Sequence, residues 1–182
     1  VYICRELFQG SQAHMNSMHG FWTAIARLGE GWFRAGWWPY WDCGIPFEFT
    51  YAPLVPWLTS AVAAVRGVPH DAAFQSISGF FYCLIPLTLF LMAWLLTRAP
   101  GYSFAAAMVY SLAAPTQLLA PDERFALARV WDARRLYIAA AWDETPHLAA
   151  LALLPLVVLF LVLAFRKSRL VYCAAAAVAV AL

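Results

Sequence analysis

The stretch AAFQSISGFFYCLIPLTLFLMAWLLT, residues 72–97, runs for 26 residues without one charged side chain. A buried helix of a soluble protein seldom needs such a length, whereas crossing a bilayer takes about 20 apolar residues. Two further runs share this character. Residues 99–121 carry no charge over 23 positions, and residues 148–165 carry none over 18, with Thr145, Pro146 and His147 as a neutral lead-in. A fourth apolar run starts at Leu170 and meets the chain end early. Pro86 and Pro155 fall inside two of these runs, where neighbouring groups in a membrane bundle satisfy the freed backbone carbonyls. The expected fold class is therefore all-α, a polytopic membrane helix bundle with spans near 72–97, 99–121, 147–165 and 170–182.

Composition agrees with the runs. Only 12% of the 182 residues are charged, 64% are hydrophobic, and mean hydropathy is +0.67. Soluble domains carry about twice that share of charge. The chain does not open on Met and shows no signal-peptide pattern. It is read as a fragment of a longer multi-pass protein.

Charge sets the expected orientation. The connection after residue 97 holds Arg98, and the one after residue 165 holds Arg166, Lys167 and Arg169, with no acid in either. With both on the cytoplasmic side the spans alternate without conflict. All ten acids, and the other eight basic residues, then lie outside in residues 1–71 and 121–146. The expected location is a bacterial inner membrane, with those two segments extracytoplasmic.

Residues 36–60, GWWPYWDCGIPFEFTYAPLVPWLTS, fit the outer boundary. They hold four Trp, four Pro and two Tyr, with Asp42 and Glu48 as the acids. Trp and Tyr collect where lipid tails meet water, because each joins an apolar ring to a hydrogen-bonding group. Ahead of this loop, Met18, Phe21, Trp22, Ile25 and Leu28 recur at helical spacing, which predicts an amphipathic helix near 14–30. A second short apolar segment, near 52–66, is too short to span and is expected to lie in the interface.

These residues resemble a known family. W-x-P-Y-W-x-x-G-x-P at residues 37–46, Y-A-P-L-V-P-W-L-T-S-A-V-A at 51–63 and G-V-P-H-D-A-A-F at 67–74 look like the first extracytoplasmic loop of GT-C glycosyltransferases. The overall pattern is closer still to bacterial membrane proteins described as related to 6-pyruvoyl-tetrahydropterin synthase, which share that layout. The resemblance covers roughly residues 10–165 and lies in layout and in Gly, Pro and aromatic punctuation. It implies transfer of a sugar from a polyprenyl-phosphate donor to an acceptor on the outer face. It also implies a catalytic Asp just after the first span. Here that region reads CRELFQGSQAHMNSMHG, whose one acid is Glu6.

Such chemistry needs a carboxylate to activate the acceptor and cations to hold the departing phosphate. Glu6 and Asp42 are the acid candidates, Asp42 because an aromatic surround favours its protonated form. The competing readings are a solvated loop acid and a turn-capping side chain. His147, following Asp143, Glu144 and Pro146 at a span start, ranks with them, and similar Pro-His span starts occur in the resembled family. His14 is a candidate substrate contact or simply an interfacial polar group. His14 and His19 stand five residues apart, about 140° apart around a helix, so no metal site is expected from them. Arg124, Arg129, Arg134 and Arg135 suit bidentate phosphate contacts. They share no helical face, however, and five acids accompany them, so a salt-bridged surface is the competing reading. Cys4 and Cys43 both fall on the expected outer side, where a disulfide is chemically permitted. The chain has no P-loop, dinucleotide fingerprint or zinc pattern, so no cofactor is expected, and no basic patch for nucleic acid. Membrane lipids, a polyprenyl-phosphate sugar among them, are the expected partners. The alternative is a non-catalytic polytopic protein that binds or translocates lipid-linked precursors, or a purely structural membrane subunit.

Overall fold

The computed structural model describes residues 5–9, 18–28, 37–38, 43–46, 54–113, 133, 136 and 145–181. Among them the backbone is helical, apart from one very short ladder. The helices are α1 (His19–Leu28), α2 (Leu54–Arg66), α3 (His70–Thr97), α4 (Pro100–Leu112), α5 (Thr145–Lys167) and α6 (Leu170–Ala181), preceded by a 3₁₀ turn at Arg5–Phe8. The ladder pairs Trp37–Trp38 with Ile45–Pro46 in antiparallel register. It lies inside the aromatic stretch and, at two residues a side, leaves the expected all-α class standing. Cys43 and Gly44, which lead into its second strand, both take positive φ (64° and 103°). A side chain at Gly44 would run into the Trp37 indole. Cys43 carries a free, exposed thiol.

α3 and α5, of 28 and 23 residues, are both long and apolar enough to cross a membrane. They form the most extensive helix pair. Ser78, two turns into α3, bonds Thr145 at the start of α5 across 2.5 Å. Helices that touch near their beginnings share a long interface only by running the same way, so α3 and α5 are parallel. α4 folds back along α3: Thr97 faces Ser103 at 3.5 Å, and Tyr82 donates to the Ser111 carbonyl at 3.1 Å. α6 folds back along α5, bringing Val180 near Pro146 and Ala149. One end of the bundle thus holds the turns after α3 and α5. The other holds α1, α2 and the starts of α3 and α5.

Within the run at residues 99–121, α4 ends at Leu112, and residues 114–121 lie outside the described residues. Ala113 has left helical geometry (φ −88°, ψ 146°). Pro115 follows, and a proline disfavours helical backbone in the residue before it. α1 lies within its predicted range of 14–30, of which residues 14–17 and 29–30 fall outside the described residues, and its buried face is shifted. Trp22, Thr23, Ile25 and Ala26 are buried, while Met18 and Leu28 stand at the surface. The small Thr23 and Ala26 allow close approach to α2, where Ser60 donates to the Ala26 carbonyl. That carbonyl is among the last four of α1, which have no partner within the helix.

The core gathers Leu7, Trp22, Ile25, Val55, Phe74, Ile77, Phe81 and Ile85 with Leu148, Ala149 and Ala152 of α5. It therefore lies where the short helices meet the starts of the long ones. α2 enters it through Val55, Thr59 and Ala63, one residue per turn.

Candidate functional site

Two half-buried titratable groups lie where α1 meets the start of α3, His19 and Asp71. α1 is pinned by Trp22 and Ile25, which sets its first residue, His19, over α3. The His19 ring meets Phe74 edge-on, with centroids 5.3 Å apart and planes at 74°. Thr23 ties the helix start by donating to the His19 carbonyl at 2.9 Å. His19 is half-buried, and this burial pushes its pKa below the ordinary 6.5, opposed by the Asp71 carboxylate nearby. At neutral pH His19 is therefore an uncharged imidazole beside a carboxylate, a base that can accept a proton with a neighbour to stabilise the resulting cation.

Asp71 occupies the first turn of α3, where the helix dipole also favours an acid. It is half-buried, with His70 before it and fully buried Gln75 one turn on. Asp71 stands in the Pro-His-Asp that opens this helix, and nothing in the sequence ties it to His19, because an acid and a His brought near each other across 52 positions leave no periodic signal.

The expected site residues distribute differently. Glu6 is exposed on the 3₁₀ turn. Its neighbours anchor that turn: Leu7 is buried, and Phe8 lies so close to Gly79 that an added Cβ would sit 2.9 Å from its ring. His147 is exposed on the first turn of α5, two residues after fully buried Thr145. Both thus stand at the His19–Asp71 end of the bundle, Glu6 carried on the Ser76–Gly79 side of α3 and His147 on the helix that meets Ser78. Asp42, His14, Arg124, Arg129, Arg134 and Arg135, like Cys4, lie outside the described residues. Nearby, the Ala133 N–H bonds the Leu112 carbonyl at 3.1 Å, and Leu136 packs on the core. The described parts of the second predicted outer segment thus meet the bundle. Among the described residues, no three of His, Cys, Asp and Glu converge as metal ligands would.

A groove of about 310 Å³ opens between the starts of α2 and α5 and the end of α6, lined by Leu54, Val55, Pro146, Ala149, Leu153 and Val180 among others. Its walls are apolar, and no residue of α1 or α3 lines it. It suits hydrocarbon and offers nothing to orient a polar group. Among the described residues, the place where α1 meets the start of α3 brings a base, His19, and an acid, Asp71, together with partial burial.

No protein-family model, curated protein or solved structure matches this chain. The likeness to GT-C enzymes therefore rests on the layout and punctuation residues quoted above.

Proposed function

We propose that this chain is a multi-pass membrane protein of GT-C-like design, which transfers a sugar from a polyprenyl phosphate to an acceptor on the extracytoplasmic side of a bacterial inner membrane. Membrane embedding is supported first by exposure. A core helix of a soluble protein hides most of its apolar surface. In α3 and α5 only 28% and 39% of the most apolar 18-residue window is buried. Phe80, Leu87, Leu154, Leu161 and Phe165 all face outward, an arrangement that water penalises and lipid accepts. The charges separate accordingly, with acid-free basic turns at one end and Asp71 and His19 at the other.

The transfer reading is carried by the His19–Asp71 pair at the end expected to face outward. In this proposal the acceptor hydroxyl gives its proton to the pair. Its oxygen bonds the anomeric carbon, and the bond from that carbon to the phosphate oxygen breaks, releasing polyprenyl phosphate. Asp71 with His19 takes the base role expected of Glu6 or Asp42, and the donor's isoprenoid tail suits the apolar groove. That wholly apolar lining also favours a second reading, a non-catalytic protein that holds or moves the same lipid.

The test uses full-length protein in nanodiscs, supplied with a polyprenyl-phosphate sugar. Release of polyprenyl phosphate that falls about a hundred-fold or more in Asp71→Asn and His19→Gln supports the enzyme. Polyprenyl lipid retained in native mass spectrometry without turnover supports the binding protein. Retention of bulk phospholipid alone, with no turnover, rejects both.

A further inference from the structure

We infer that the end of the bundle formed by the α3–α4 and α5–α6 turns is a binding surface for the phosphodiester headgroups of anionic lipids. This rests on the membrane-embedded reading above and is independent of sugar transfer. Arg98, Arg166, Lys167 and Arg169 are all exposed, and neither turn contains an acid. The two turns are far apart in sequence, and the parallel packing of α3 on α5 brings them to one end. α4 and α6 also begin there, so their first backbone N–H groups face the same end with the positive poles of their dipoles. The start of α4 is open to approach: a Cβ built on Gly101 meets nothing within 4 Å.

The turns spend backbone energy on side chains that a glycine would spare. Arg98 and Ser168 take left-handed conformations (φ 61° and 50°), which glycine adopts without strain. Lys167 leans over Tyr172, its Nζ 5.6 Å from the ring centroid. Tyr102 and Trp94 are exposed near the α3–α4 turn, as aromatic residues at a membrane boundary are.

Apolar neighbours decide which anion fits. Phe165, Leu170 and Val171 flank the cations in the chain and are 85%, 85% and 64% exposed. A free phosphate leaves those side chains in water. A lipid brings hydrocarbon beside its phosphate and covers both kinds of surface. Arginine supplies paired donors to the phosphate oxygens.

The experiment places full-length protein in nanodiscs of equal parts phosphatidylcholine and phosphatidylglycerol, and reads retained lipid by native mass spectrometry. Wild type is expected to retain the anionic lipid preferentially, less so at high salt. Each neutralised cation lowers the ratio by up to about five-fold, so Arg166→Gln/Lys167→Gln/Arg169→Gln and the same set with Arg98→Gln should approach no preference. Arg27→Gln/Arg66→Gln, which removes exposed cations on α1 and α2, should keep it. Equal retention of the two lipids by wild type, or a preference indifferent to the four substitutions, overturns the inference while leaving the membrane reading intact. Loss of preference on adding inorganic phosphate at the lipid's concentration means that a free phosphate is the ligand, and overturns the headgroup assignment. Extraction of wild type from membranes by alkaline carbonate overturns the membrane reading and this inference together.

Discussion

The Ser78–Thr145 contact makes an asymmetric prediction. Both residues are fully buried, and their hydroxyls lie 2.5 Å apart. Ser78 also donates to the Phe74 carbonyl at 3.1 Å. With the single Ser78 proton given to the Phe74 carbonyl, Thr145 is assigned as the donor between the two hydroxyls. Thr145→Val then removes a donor and leaves the Ser78 proton satisfied, costing about 0.5–1.5 kcal/mol, the net worth of one hydrogen bond. Ser78→Ala strands the Thr145 proton in a dry site and should cost more, in the range of about 1–3 kcal/mol for an unsatisfied buried group. Removing both partners strands nothing. The double variant should fall short of the sum of the singles by about 0.6 kcal/mol, the usual coupling of hydroxyl pairs between membrane helices. The assay is reversible unfolding in mixed micelles titrated with a denaturing detergent, run on wild type, both singles and the double. Additivity within about 0.3 kcal/mol would refute the close start of α3 and α5, whereas a Thr145→Val cost above that of Ser78→Ala would refute the assigned direction.

Three further outcomes follow from named residues. Leu87→Arg on α3, 52% exposed, should cost about 2.5–3.5 kcal/mol of insertion if that face meets lipid; an effect within about 0.5 kcal/mol, normal for a watery surface, in a translocon insertion assay would contradict the membrane reading. Gly44→Ala meets both a left-handed backbone and the Trp37 indole, so near-ultraviolet circular dichroism should show altered Trp packing, while helix content is unchanged. His19 holds its proton less tightly folded than unfolded. As pH falls below 6.5 the unfolded chain therefore takes up the proton first, and stability declines until the lowered folded-state pKa is passed, then levels. Thermal unfolding against pH should show this dip in wild type, a deeper one in Asp71→Asn, whose carboxylate no longer opposes the shift, and none from this source in His19→Gln.

The two long helices were legible in the chain because each repeats one property, the absence of charge, over more residues than a soluble helix ordinarily hides. The basic turns were legible for the same reason, since composition alone marks them. A local conflict set the limits of α4: its apolar run continues to residue 121, yet the helix stops at Leu112, just ahead of Pro115. Periodicity drew the face of α1 through its largest side chains, whereas close packing on α2 favoured the small Thr23 and Ala26. Glu6 and His147 could be singled out from neighbouring residues, but their surroundings depend on Gly79, Ser78 and Thr145, which come from other helices. The amino-acid order by itself determined which segments are helical and where charge collects, because those are sums over neighbours along the chain. Only tertiary packing decided that α3 and α5 run parallel, that His19 feels the charge of Asp71 and that both basic turns share one end, because each depends on how segments far apart in the chain pack together.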